Sequence, residues 1–342
     1  MNASDFKVVR SSQAARIAAV LGALVLVVLI AAPWWAGRAD MRLMGELFLY
    51  LALASLWNLM AGYAGLVSVG QQAYVGFGGY MLFALTIFGG LPPLVAIAGA
   101  AVLGALISIP VAALIFRLRG AYFAIGTWVI AEVFRLTFAQ VSALGGGSGS
   151  SLPIGIVKSM ASSRSNREAL AYWLALGAAV LVIAAVYFFL RSRRGLALTA
   201  IRDNELAAGS LGIDIWRTKF VVYVVASALT ATIGALIFLQ KLRISPDAAF
   251  SVNDWTAFVI FIVVIGGIGT IEGPIIGTLI FFALRETLAD LGTVYLMVLG
   301  LVAIVVMLKA PKGVWGLVRA KFDLQLFPLG YRVIGKPTKK DS

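Results

Sequence analysis

Apolar runs of about 20 residues, separated by short polar or charged stretches, recur along the whole chain, and each is long enough to cross roughly 30 Å of hydrocarbon as a helix. The pattern predicts a first span at Ile17–Trp35 and a second at Met41–Met60. A third emerges from the Gly-rich segment Gly62–Tyr80 and continues to Phe88. The fourth follows the turn Leu91-Pro92-Pro93 and runs to Phe116, and the fifth ends near Val141. Further spans are expected at Ala169–Leu190, Val221–Leu239 and, shorter, Trp255–Ile265. A ninth leaves the second Gly-rich segment, Gly266–Gly277, and ends near Arg285-Glu286; the tenth covers Thr293–Leu308. Between them lie a hydrophilic loop over 142–168, a charged segment over 191–220 and a polar tail over 309–342. The expected fold is an all-α polytopic integral membrane protein with about ten transmembrane helices, forming a single transmembrane domain over 1–342.

Two readings compete for the N-terminus. Met1–Arg16 followed by Ile17–Trp35 has the outline of a signal peptide. An uncleaved first span is favoured, because the apolar run continues into Pro33-Trp34-Trp35, an interfacial aromatic anchor, and further spans follow.

Composition supports a membrane class. Of 342 residues, 61% are hydrophobic and 13% charged, about half the charge of an ordinary soluble domain. The net charge of +13 would suggest nucleic acid on a soluble protein. Membrane topology accounts for it more simply, and no nucleic-acid partner is expected. With the N-terminus inside and ten spans, 19 of the 28 Lys and Arg residues fall on the inner side and eight on the outer, with Arg135 within a span. That is the positive-inside asymmetry. Both termini and the segment 191–220 are therefore expected in the cytoplasm, and 142–168 outside. Cys and His are both absent, which removes thiol chemistry, His-ligated metals and a His-based pH switch.

Catalytic patterns are missing as well. Gly145–Ser151 (GGGSGSS) lacks the Lys-Ser/Thr of a phosphate-binding loop and is expected to be a flexible connector. No paired carboxylates on a polar scaffold and no nucleophile elbow are present, so the chain is not expected to be an enzyme and no metal site is expected.

Two segments interrupt the apolar pattern inside the membrane. Gly62–Tyr80 carries Gly62, Gly65 and Gly70, with polar Asn58, Ser68, Gln71 and Gln72 in or beside it. Gly266–Gly277 carries Gly266 and Gly267, a doubled G-x-x-x-G at Gly269, Gly273 and Gly277, and Pro274. Small residues at that spacing let helix backbones approach closely. Broken helices at membrane depth are tolerated where they are buried in protein or line a cavity. Helix packing and lining of a translocation pathway both account for these residues. Glu132 and Arg135, one turn apart, can satisfy each other; Glu46 and Glu272 are expected near the water interface.

The segment Arg191–Phe220 is the longest charged interruption. Gly195–Ile201 can form one short helix, and Asp203 or Asn204 can cap a second with Glu205 in its first turn, where the helix dipole favours an anion. Gly212 is a natural stop. Such a compact knob fits a groove on another protein. A basic loop on anionic headgroups is the alternative, opposed by Asp203, Glu205 and Asp214.

Ala207-Ala208, three residues, then Gly212 resembles part of the coupling loop of bacterial ABC-importer permeases. The wider string AIRDNELAAGSLGID, with GYAGLVSVGQQAYVGFGGY and GGIGTIEGPIIG, is similar to the LivM-type branched-chain amino acid permeases. Leu206 stands at the acidic position of the general loop motif, with Glu205 one place earlier; Gln71 stands where His is frequent and Leu66 where Gln is. The resemblance implies that Arg202, Asp203, Asn204, Glu205, Ala207, Ala208 and Gly212 form an ATPase-coupling loop. It also implies a homologous, LivH-like permease subunit, two cytoplasmic ATPase subunits carrying ATP and Mg, an extracytoplasmic solute-binding protein and a place in the bacterial inner membrane. This chain would bind no cofactor itself. The implied solutes are leucine, isoleucine and valine, with urea or a short amide as the alternative within the family. An ion-coupled secondary transporter is the alternative from another class; it would need no partner-binding knob.

Overall fold

A computed structural model of the protein describes residues 6–9, 13–160, 163–288, 292, 294–322, 326–328 and 332–335. The apolar runs become helices α1 (Gln13–Ala31), α2 (Arg38–Asn58), α3 (Gln71–Ile87), α4 (Pro93–Ile115) and α5 (Ala121–Ala139). A short α6 (Ile154–Met160) interrupts the hydrophilic loop, and α7 (Arg164–Leu190) follows. The charged segment folds as α8 (Arg193–Asp203) and α9 (Glu205–Ser210). Beyond it lie α10 (Ile215–Lys241), α11 (Pro246–Ala249), α12 (Phe258–Gly266), α13 (Glu272–Leu288), α14 (Val294–Lys309) and α15 (Gly313–Phe322). Among the described residues, eight helical stretches are long and apolar enough to cross a membrane. The other two expected spans, α3 and α13, have 17 residues each, about 25 Å of helix, because each starts only after its Gly-rich break.

Burial sorts the helices. α10 packs most extensively on α3 and α4, and α2 on α7, so α2, α3 and α10 form the centre. Small residues set the α3–α10 crossing: a Cβ on Gly78 would run into the backbone of Ala231, and one on Gly234 into the backbone of Val75. Close backbone approach of this kind is how helices associate where lipid removes the hydrophobic drive. α1 and α14 stand at the periphery with Val20, Leu24, Val27, Met297, Leu301 and Leu308 exposed, the surface a lipid-facing helix presents. Tyr172 Oη and Trp173 Nε1, on α7, donate to the carbonyls of Leu29 and Ile30 and fasten α1 at one end (2.7 and 3.1 Å).

Several expectations are corrected. The sixth span begins at Arg164 rather than Ala169, and the seventh at Ile215 rather than Val221. The reason is capping: the side chains of Ser163 and Asp214 accept from the backbone N–H of Asn166 and Arg217, so polar first turns extend both helices beyond their apolar cores. The charged segment therefore ends at Asp214. The eighth span is the composite stretch Pro246–Gly266, with a π-helical turn at Asn253–Ala257. Gly145–Ser151 is built into the structure rather than left as a flexible connector. Ser150–Ser151 (β2) pairs antiparallel with Arg243–Ile244 (β3), and Gly149 lies against the Ile244 carbonyl, too close for any side chain. Glu272 is buried within the protein, and its Oε1 accepts from the backbone N–H of Leu326 and Phe327 (3.2 and 3.0 Å).

Glu132 and Arg135 do pair, and Arg135 also reaches Asp247 (2.8 Å). Phe6–Val9 (β1) pairs antiparallel with Arg332–Gly335 (β4), so two segments more than 300 residues apart meet.

Candidate functional site

The α8–α9 shelf is assembled from local signals. Ser192 caps α8 and Asn204 caps α9, its side chain accepting from the Ala207 N–H at 3.0 Å. Of the two cap candidates, Asn204 is used; Asp203 instead holds Arg202, Oδ1 accepting from Nε at 3.0 Å. Glu205 sits in the first turn of α9 and pairs with Lys219 in the opening turns of α10. Gly212 has φ +81°, the left-handed conformation that ends a helix cheaply only for glycine. Leu198, Ile201 and Ala208 are buried against the bundle. Leu206 and Leu211 are 85% and 79% exposed, so the shelf shows an apolar outer face that its own chain does not cover.

Beneath the shelf the two Gly-rich breaks meet. α2 does not simply end: it passes into a π-helical turn over Leu59–Tyr63, then residues 65–70 run without regular helix before α3 starts. The second break, residues 267–271, joins α12 to α13. Asn58, 1% exposed, bridges them, with Oδ1 accepting from the Gly269 N–H and Nδ2 donating to the Thr270 carbonyl, both at 2.8 Å. Arg202 reaches down from α8, and its Nη1 donates to the Gly62 carbonyl at 3.1 Å. Gly62 and Gly269 lie so close that a Cβ on Gly62 would overlap the Gly269 backbone, and a Cβ on Gly269 would sit 3.2 Å from Arg202 Nη1. Shelf, first break and second break thus converge at one point.

The remaining predicted residues divide clearly. Gly273 and Gly277 press α13 against α12 at Gly266 and Ile262, which is helix-to-helix contact. Gly269 is not on that helix; it lies in the turn at φ +75°. Pro274 occupies the first turn of α13, where a missing N–H costs little. Gly267 abuts Gly313 and the Lys312 carbonyl, tying the second break to α15. In the first break, the Ser68 carbonyl accepts from Trp57 Nε1 at 2.8 Å and its hydroxyl accepts from the Gly70 N–H. Gly70 lies against Thr127, and Gly65 is exposed with open space around it. Gln71 donates to the Leu53 carbonyl at 3.1 Å, and Gln72 bonds to Thr256. These amides are therefore held in helix-to-helix hydrogen bonds.

Residues not singled out by sequence also matter. Thr270 closes the second break, donating to the Gly267 carbonyl and accepting from the Gly273 N–H. Thr127 accepts from the Val69 N–H at 3.0 Å and steadies the first. A capping Thr three residues before Gly273 was a readable signal; nothing local marks Thr127.

A polytopic helical bundle with a shelf bonded to the first of two helix breaks that meet beneath it, and no catalytic constellation among the described residues, defines a multi-pass membrane transport subunit. The family model described as "Branched-chain amino acid transport system / permease component" matches residues 41–308, and the chain belongs to that family. Over 328 residues it is 27% identical to the high-affinity branched-chain amino acid transport system permease protein LivM of Salmonella typhimurium strain LT2, covering 88% of this chain and 76% of the relative. The LivM of Escherichia coli strain K12 matches equally, 27% over 327 residues with the same coverage. A probable LivM of Methanocaldococcus jannaschii is 31% identical over 116 residues, 34% of this chain and 33% of the relative. No solved structure matches the chain at a significant level. The chain is thus a transport component of the inner membrane rather than a catalytic enzyme.

Proposed function

We propose that this chain is the permease subunit of an ATP-driven importer of leucine, isoleucine and valine. It works with a homologous permease subunit, two cytoplasmic ATPase subunits and an extracytoplasmic solute-binding protein. The observation that carries the reading is the bond from Arg202 on the shelf to the Gly62 carbonyl, beside Gly269. A secondary transporter working alone has no use for an exposed apolar shelf wired to its own helix breaks.

In mechanism, the ATPases close on ATP and Mg and press on the outer face of α8–α9, where Leu206 and Leu211 are exposed. ATP binds to the partners, because this chain has no phosphate-binding loop. Leu198, Ile201 and Ala208 pass the load to the bundle, and Arg202 passes it to the junction of the breaks. Gly62 and Gly269, without side chains, let that junction shift by small amounts, and access alternates between the two sides. The bonds of Gln71 and Gln72 tie α3, the helix beyond the first break, to α2 and to the π-helical turn before α12.

Two tests follow from the shelf. A tagged chain is purified from membranes; the ATPase subunits are expected to come with it. Ala208→Glu places a carboxylate in a buried position, and Gly212→Trp strains a left-handed residue. Both variants insert normally and lose ATPase association. Normal transport by both sinks the coupling assignment, and uptake that persists without any ATPase and follows the proton gradient sinks the importer reading. Solute identity is tested by competing labelled leucine uptake with valine, isoleucine, urea and short amides. Competition is expected from the branched-chain amino acids alone.

A further inference from the structure

At the end of the bundle opposite the shelf, where α2 and α7 begin and α10 ends, lies a cavity of about 570 Å³. That is within the range of small-ligand sites, roughly 300–1,000 Å³. Met41, Leu49, Tyr50 and Trp255 give it an apolar and aromatic lining. Trp255 is fixed by its Nε1, which donates to the Ala248 carbonyl at 2.8 Å. Gln240 fastens the α10 side to α7 through the Ala171 carbonyl at 3.2 Å.

The charges around the cavity do not all cancel. Arg42 and Arg164 are both engaged with Glu168 Oε1, and Glu46 is held in a two-pronged pair by Arg285 at 2.8 and 2.9 Å. Three groups are left over. Arg167 lines the cavity and forms no ion pair among the described residues. Lys241 Nζ rests over the Trp255 ring, 4.7 Å from its centre, and forms no ion pair among the described residues. Glu168 Oε2 is buried and accepts no hydrogen bond among the described residues; Arg38 Nε lies 3.8 Å from it. A buried carboxylate oxygen without a donor is costly, and points to a donor supplied from elsewhere.

The cavity therefore offers an acceptor without a donor, an exposed Lys241 and a half-buried Arg167 that are free to meet an anion, and an apolar wall. One chemical class supplies all three complements: a zwitterionic α-amino acid with an apolar side chain. We propose that the cavity receives such an amino acid. Its ammonium donates to Glu168 Oε2, its carboxylate meets Lys241, and its side chain lies against Leu49, Tyr50 and Trp255. This inference rests on the transport reading above and adds to it a receiving site in the permease itself.

The chain has no cysteine, so Ala171→Cys puts a single thiol of this chain on the cavity wall. The complete transporter carrying it is reconstituted in lipid nanodiscs, and the rate of maleimide labelling of this chain is followed on a gel. Leucine is expected to slow labelling. 4-Methylpentanoate, which lacks the ammonium, and 3-methylbutylamine, which lacks the carboxylate, are expected to need about tenfold or more higher concentration, each losing one charge-assisted contact. Lys241→Met and Glu168→Gln remove the protection by leucine while labelling without ligand stays unchanged. Glu168→Gln also loosens three arginines, so Lys241→Met, which disturbs no ion pair among the described residues, is the decisive variant.

Labelling indifferent to leucine overturns the proposal, as does protection that survives Lys241→Met or that follows anionic lipid and ignores leucine. Leucine uptake is measured on the same preparation. Uptake without protection overturns the cavity site and leaves the transport reading standing; absence of uptake overturns the transport reading itself.

Discussion

Gly78→Val yields almost no folded protein, whereas Gly22→Val yields as much as the parent. Both are glycines in apolar helices, and composition gives no reason to treat them differently. At Gly78 an added Cβ meets the carbonyl oxygen, carbonyl carbon and Cα of Ala231, all backbone, at the most extensive helix contact in the molecule. Backbone cannot rotate away as a side chain can, so α3 and α10 must separate, and Gly234 loses its close contact with Val75 at the same crossing. Overpacking of this kind costs about 1–3 kcal/mol or more, a large fraction of a typical stability. Gly22 has nothing within 4 Å and lies on peripheral α1. Fluorescence-detected size exclusion and a melting curve in detergent separate the two. Equal yield and melting for both variants would refute the close crossing.

Arg202→Ala keeps the ATPase partners and loses transport, the reverse of what Ala208→Glu does. The variant leaves both helix caps, the Glu205–Lys219 pair and the exposed leucines in place, so docking survives. It removes a charge-assisted hydrogen bond to the Gly62 carbonyl, a contact of about 1.5–3 kcal/mol. Losing that much coupling lowers leucine moved per ATP hydrolysed by about tenfold to a hundredfold. Arg202→Lys recovers only part, because an ammonium lacks the planar fork that serves Gly62 and Asp203 together. Asn58→Ala shows a similar loss, and the double variant is less severe than the product of the two, as expected for residues acting at one junction. Transport per ATP is read in proteoliposomes; an unchanged ratio in Arg202→Ala would remove Arg202 from the coupling path.

Much of the molecule was written locally. Span positions follow from apolar run length, and the shelf follows from Ser192, Asn204, Glu205 and Gly212, each acting on residues within one turn. The Glu132–Arg135 pair was visible for the same reason. What stayed hidden depends on distance along the chain. Asn58 is 211 positions from Gly269 and Arg202 is 140 from Gly62, and no periodicity records such pairings. Position in the pattern places Glu272 near the water interface but does not reveal its burial, which is decided by the backbone at Leu326 and Phe327. Gly145–Ser151 looks like a tether because glycine permits freedom, but the same lack of a side chain permits the close approach to Ile244 that orders it.

The pairing of Phe6–Val9 with Arg332–Gly335 has a meaning for biogenesis. At a synthesis rate of about 5–20 residues per second, the first strand waits tens of seconds for its partner to be made. During that interval its hydrogen-bonding edge is open, a template for any other extended segment nearby. Arg332–Gly335 therefore acts as a cover for Phe6–Val9, and its arrival closes an edge that stays open to other extended segments while the spans between the two strands are made.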